Sequence, residues 1–264
     1  MSSANRFIYN YYEKCRFIYT GKNLPLPEYL KMEINNYWNY LKSEGKSFNN
    51  GEIFTISDIK LNQGYLDFII SKTNFAHYLY SLKQKSLGDF TCRSIASNAL
   101  ILTSDNYYVM GSMSGNTSLP YKIKFIGGAI STDDLLNNSF DPRSCVIREV
   151  KEEIGISLTN KDVIDNFKPI YYLTRENLSF INVLFLAQLK MTSGELKIAF
   201  EIYKKKLQTH NIDSELADIY FLKCNKEAIT MFLENNQNIL IDYMDDLFRV
   251  IVGKYDAKNI LEEI

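Results

Sequence analysis

The chain has 264 residues, 46% of them hydrophobic, and a formal net charge of −1. That length suits one large domain, or one domain with a substantial extension. The near-neutral balance leaves no broad basic footprint, so neither nucleic acid nor an anionic membrane is expected as a partner. In chain order, Phe7 to Tyr12 and Arg16 to Thr20 read as short strands. Pro25 and Pro27 precede a helical stretch from Glu28 to Ser43, with Trp38 on its apolar side. Asn50-Gly51 is a turn signal, Ile53 to Ile59 and Leu66 to Ile70 read as strands, and Asn74 to Leu82 as a short helix.

A second region starts near Gly88, which divides the chain into an N-terminal α+β extension (1–87) and a main domain (88–264). Ala96 to Leu102 reads as a buried strand, Ser104-Asp105-Asn106 as a turn and Tyr107 to Met110 as the returning strand. Tyr121 to Ile126 is another strand, ending at Gly127-Gly128. A helix covers Asp141 to Ile154, and apolar strands follow at Pro169 to Leu173 and Phe180 to Leu189. Glu195 to Leu207 is helical, Ile219 to Leu222 a late strand, and the remainder mainly helical. This mixed order predicts an α/β or α+β domain with helices on both sides of a sheet.

Cys15, Cys92, Cys145 and Cys224 form no CxxC pair, which argues against a zinc knuckle. With no secretory signal in view, reduced thiols in a cytoplasm are the expectation. Runs such as Ala99 to Leu102 and Val183 to Leu186 are too short to span a bilayer. His77 and His210 lack metal-ligand spacing, and neither a GxGxxG nor a Walker phosphate loop is present. Lys204-Lys205-Lys206 reads as a solvated helix face, and the 19 Tyr and 16 Phe as core and surface residues rather than a binding platform.

The chemistry lies between Asp141 and Ile156. Asp141 suits the N-cap, Pro142 the first turn, and Gly155 a left-handed stop. On a helical wheel Val146, Ile147, Val150 and Ile154 fall within an arc of roughly 100°. Arg148, Glu149, Glu152 and Glu153 take a neighbouring arc of roughly 140°. One glutamate on a helix is an ordinary solvated residue; three beside an arginine repel one another unless cations compensate. Arg148 can hold one carboxylate in a bidentate contact, and oxygen ligands suit Mg²⁺ or Mn²⁺. Such an ion bridges diphosphate oxygens and lowers the pKa of bound water. Gly127 and Gly128 end a strand without side chains, which lets backbone and phosphate approach each other, so both are candidate substrate contacts.

Arg148-Glu149-Val150-Lys151-Glu152-Glu153-Ile154-Gly155-Ile156 resembles the second half of a Nudix box. The resemblance implies a Nudix-like α/β/α sandwich with a mixed sheet and metal-dependent hydrolysis of a nucleoside diphosphate linked to another group. It implies that Glu149, Glu152 and Glu153 are metal ligands and that Arg148 orients a carboxylate. The first half departs from the family pattern. Gly128 lies about six residues too far upstream, and Phe140 stands where the spaced glutamate belongs. Asp141 is adjacent, but capping is its expected work. Ser214-Glu215 before Ile219 to Leu222 resembles the family's late acidic residue and strand, making Glu215 a candidate base or further ligand. The order Trp38, Asn50-Gly51, Phe54 and Thr73 to Leu82 is similar to Nudix enzymes acting on UDP-sugars, which brings nucleotide sugars into the substrate class. The extension, 1–87, is expected either to shape the pocket or to mediate a homodimer. The alternatives to an enzyme are a Nudix-fold module that binds a nucleotide without turnover and a structural domain whose charged helix holds no site.

Overall fold

The computed structural model describes residues 6–10, 14–46, 48–84, 87–115, 117, 119–175 and 180–254. Its strands are β1 (Arg6–Asn10), β2 (Cys15–Asn23), β3 (Glu52–Asn62), β4 (Tyr65–Asn74), β5 (Ser94–Leu102), β6 (Tyr107–Met113), β7 (Ile123–Lys124) and β8 (Ile126–Ala129). They continue with β9 (Leu135–Leu136), β10 (Ser139–Phe140), β11 (Ile164–Arg175), β12 (Phe180–Leu189) and β13 (Leu216–Lys223). The helices are α1 (Glu28–Ser43), α2 (Phe75–Gln84), α3 (Pro142–Ile154), α4 (Ser193–Thr209), α5 (Lys226–Asn236) and α6 (Asp242–Lys254). Tyr11 and Tyr12 of the expected first strand, and residues 255–264 of the expected helical end, lie outside the described residues.

The strands join in one mixed sheet, and β5 is its hub. One edge of β5 pairs in parallel with β12 from Ser94 to Leu102. The other edge is shared by β3, β8 and β6, all antiparallel. Side chains alternate across this sheet because the strand period is two. From β12, Ile181, Val183, Phe185, Ala187 and Leu189 enter one core, while Leu184 and Leu186 enter the other. Burial on both faces is why β12 reads as a continuous apolar run.

The first core packs α3 through Cys145, Val146, Val150 and Ile154, and α4 through Leu196 and Phe200. The second packs α5 through Ile229, Phe232 and Leu233, and α6 through Met244, Leu247 and Phe248. Helices therefore cover both faces, the α/β/α layering expected. Phe17, Phe54, Ile56, Phe68 and Ile70 of the N-terminal region join the first core, whereas α1 and α2 close a small core of their own around Leu30, Ile34, Trp38 and Tyr80.

Several elements differ from expectation. Asn50-Gly51 turns no hairpin: Asn50 Oδ1 and the Gly51 carbonyl accept the Ala76 and Phe75 N–H groups at the start of α2. The hairpin turn is instead Gln63-Gly64, both left-handed, which lets β3 and β4 run longer than their apolar cores. The strand expected at Tyr121 to Ile126 is two strands, because the chain changes partner at Phe125. β7 pairs with β6 and β8 with β5. A further hairpin, β9–β10, lies between Gly128 and α3; β10 pairs with β2, and β9 is the outer strand.

Candidate active site

Helix α3 starts and stops as its sequence dictates. Asp141 accepts the Arg143 and Ser144 N–H groups at 3.0 and 3.1 Å, Pro142 takes the first turn, and Gly155 ends the helix at φ 74°. The ring of Tyr203 on α4 packs against Gly155, and its hydroxyl donates to the Glu152 carbonyl at 2.8 Å. The helix lies on β5, β8 and β12, so its polar face meets the end of β8.

Arg148 organises the outer half of that face. Its Nε and Nη2 donate to the two oxygens of Asp134 at 3.0 and 2.9 Å. Nη1 donates to Glu149 at 2.8 Å and to Glu152 at 3.0 Å, and Nη2 reaches the Ala129 carbonyl at 3.3 Å. Burial works against the Arg148 charge, but the Asp134 hydrogen bonds and the Glu149 and Asp134 charges more than offset it and raise its pKa. Burial pushes the Glu149 carboxyl upward, opposed by Arg148 and Lys124.

Asp134 is the residue that sequence reasoning missed. It is 2% exposed, ends a short 3-10 turn, and lies six positions after Gly128. Neither Phe140, which is buried in the core, nor Asp141, which caps α3, takes the carboxylate's place beside Arg148. Between Asp134 and Asp141 lie six residues, 135–140, which hold the β9–β10 hairpin. Asn137 and Asn138, both left-handed, make its turn, and the Asp141 N–H closes its base on the Asp134 carbonyl at 3.1 Å. The hairpin is looped out, and Asp134 stays beside Asp141 at the helix start.

The two glycines serve the chain's own packing. A Cβ on Gly127, where φ is +141°, would lie 2.3 Å from the Ser97 carbonyl oxygen, so only glycine lets β8 approach β5 there. The Gly127 N–H donates to Glu153 Oε2 at 3.1 Å. A Cβ on Gly128 would lie 2.4 Å from Glu149 Oε2, so its bareness makes room for that carboxylate.

The inner half of the face belongs to Lys124, also unforeseen. Its Nζ bonds Glu153 Oε1, donates to the Gly127 carbonyl at 2.9 Å, and donates to Glu215 Oε1 at 3.1 Å. Lys124 is 7% exposed and Glu153 3%. Burial disfavours the ammonium, but the charges of Glu153 and Glu215 outweigh it and keep Lys124 protonated. Burial raises the Glu153 carboxyl, and Lys124 opposes that rise. The signal in the sequence was a charged residue inside an otherwise apolar stretch, Ile123-Lys124-Phe125-Ile126.

The expected trio of metal ligands is therefore divided. Glu149 and Glu152 converge on one guanidinium nitrogen, Glu153 turns inward to Lys124, and Glu215 joins the site through the same lysine. Among the described residues, no three His, Cys, Asp or Glu side chains form a ready metal cluster. Glu149 and Glu152 still fit a hard divalent ion. Each commits one oxygen to Arg148, and among the described residues Glu149 Oε2 and Glu152 Oε1 accept no hydrogen bond. Among those residues, too, no helix is long and apolar enough to cross a membrane.

No family model and no curated protein matches the chain. Its fold is similar to those of solved Nudix and MutT proteins. With a MutT protein from Methanosarcina mazei it shares 17% identity at a TM-score of 0.38, covering 61% of this chain and 94% of that one. With a Nudix hydrolase from Nitrosomonas europaea the values are 14% and 0.36, covering 62% and 98%. A bifunctional NMN adenylyltransferase/ADP ribose pyrophosphatase from Francisella tularensis, complexed with AMP and a Mn ion, gives 13% and 0.39, covering 68% of this chain and 47% of that one.

Proposed function

We propose that this chain is a Nudix-type hydrolase that cleaves the phosphoanhydride of a nucleoside diphosphate linked to another group, with nucleotide sugars among the candidate substrates. The observation that carries the reading is Arg148, which gathers Asp134, Glu149 and Glu152 at the end of a glycine strand. Asp134 matches the guanidinium charge with both oxygens, so Arg148 is a rigid positioning residue for the two glutamates. Glu149 and Glu152 are the side chains that would hold Mg²⁺ or Mn²⁺. A bound ion supplies charge neutralisation at the diphosphate and acidifies a water.

In the reaction, the water oxygen forms a new bond to one phosphorus and the bridging P–O bond breaks. A carboxylate of the cluster takes the water's proton, and the attacked phosphorus inverts. Two phosphorylated products leave. Gly128 leaves the approach to Glu149 bare, and a cleft beside Glu152 is bordered by Lys151 and Lys206, cations suited to phosphate oxygens. Residues 1–87 we read as an extension that supports this site, with a pocket-shaping role preferred to a dimer interface because β2 pairs with β10 next to Asp134.

The test is Mg²⁺-dependent hydrolysis across a panel of nucleoside diphosphate conjugates. Glu149→Gln and Glu152→Gln should each lower kcat/KM by roughly 100-fold or more, the scale of losing a catalytic carboxylate. Unchanged activity in both variants removes the assignment. A second reading, a module that binds nucleotides without turnover, is favoured by Lys124 having taken the late acidic residue Glu215. Ligand-induced thermal stabilisation with no product from any conjugate would establish it.

A further inference from the structure

Lys124 is a cation built into the wall of an acidic site. Its neighbours Ile123, Phe125 and Ile126 are all buried, in a position where an aliphatic side chain would pack without desolvating a charge. All three ammonium hydrogens have acceptors: Glu153 Oε1, Glu215 Oε1 and the Gly127 carbonyl. Glu153 is equally committed, one oxygen to Lys124 and the other to the Gly127 N–H. The ammonium thus occupies the gap between Glu153 and Glu215, with both oxygens of Glu153 committed and Glu215 tied by Oε1. A divalent ion entering that gap would meet an ammonium it cannot displace without orphaning a buried charge.

We propose that Lys124 is the resident cation of this site: its ammonium holds Glu153 and Glu215 in the place a metal ion would take, and divalent metal binds through Glu149 and Glu152 alone. The part concerning Glu149 and Glu152 rests on the hydrolase reading above; the part concerning Lys124 rests on the contacts alone. The outer glutamates differ from Glu153 in one respect. Arg148 is already matched by Asp134 and takes a single oxygen from each, so one oxygen on each remains for an ion. In this arrangement Lys124 is a positioning residue: it sets how many ions bind and where.

The experiment is titration of the full-length protein with Mn²⁺ alone, followed by calorimetry and by electron paramagnetic resonance for stoichiometry. The wild type should take up a single ion. Lys124→Ala frees two carboxylates and should take up a second. Because removal of a buried lysine can unfold the chain, Glu153→Gln gives an independent reading. It should leave the wild-type Mn²⁺ affinity within about twofold, whereas Glu152→Gln should weaken it about tenfold or more. A second ion in the wild type, or a tenfold loss in Glu153→Gln, overturns the role of Lys124 and leaves the hydrolase reading standing. A wild type that binds no Mn²⁺ while Lys124→Ala binds one overturns the hydrolase reading and upholds Lys124.

Discussion

Two adjacent glycines do different work, and substitution separates them. At Gly128 the obstacle to a methyl group is the Glu149 carboxylate, the far end of a flexible side chain. Gly128→Ala should therefore fold with little loss but push Glu149 aside, weakening Mn²⁺ binding about tenfold. At Gly127 the obstacles are the Ser97 carbonyl and the Asn98 Cα, which are backbone, and φ is +141°. Gly127→Ala should cost roughly 2 kcal/mol or more of stability. Urea denaturation beside Mn²⁺ titration reads both; equal stability losses in the two variants would refute the distinction. In the sequence the pair read as a strand end with room for a phosphate to approach. The sequence did not show that one glycine serves the backbone of β5 and the other a glutamate.

At the scale of elements, the β9–β10 hairpin lets a lengthened loop keep a compact site. Its turn places Asn137 and Asn138 at φ 49° and 60°, where a branched side chain is strained. Asn138→Val should cost roughly 1–2 kcal/mol by the left-handed penalty alone. If Asp134 depends on that hairpin, the same variant should also weaken Mn²⁺ binding, measured by calorimetry; unaltered stability would show that the turn is not held. Helix α3 was legible because its signals are local: cap, first-turn proline, stop glycine and an apolar stripe lie within one segment. The hairpin was not read from the sequence. Pairing Asp134 with Arg148 depends on residues 135–140 being looped out, a tertiary fact with no periodicity. Lys124 was hidden for a similar reason. Alternation marks it as one polar residue in a strand, but its partners Glu153 and Glu215 come from other elements.

At the scale of the molecule, the N-terminal region and the site region share a core. Phe54, Ile56, Phe68 and Ile70 pack with Ile95, Ile101, Val146 and Val183 in one cluster. A fragment beginning at Gly88 would leave those partners uncovered. The full chain should therefore unfold in one step. Trp38, the only tryptophan, sits in the small core of α1 and α2 and reports on the N-terminal region by fluorescence. Its transition in urea should coincide with that of far-UV circular dichroism; an earlier fluorescence transition would mean that the extension melts on its own.

The hub strand β5 carries one more consequence. Its edges are both occupied, by β12 along one side and by β3, β8 and β6 along the other. Fraying at the sheet's ends reaches it last, so its amide hydrogens exchange with deuterated solvent only when the whole chain opens. The glycine strand that holds the carboxylates is hydrogen-bonded directly to β5. The site is thus anchored to the strand that should exchange slowest, while β9, at the edge of the sheet, should exchange early.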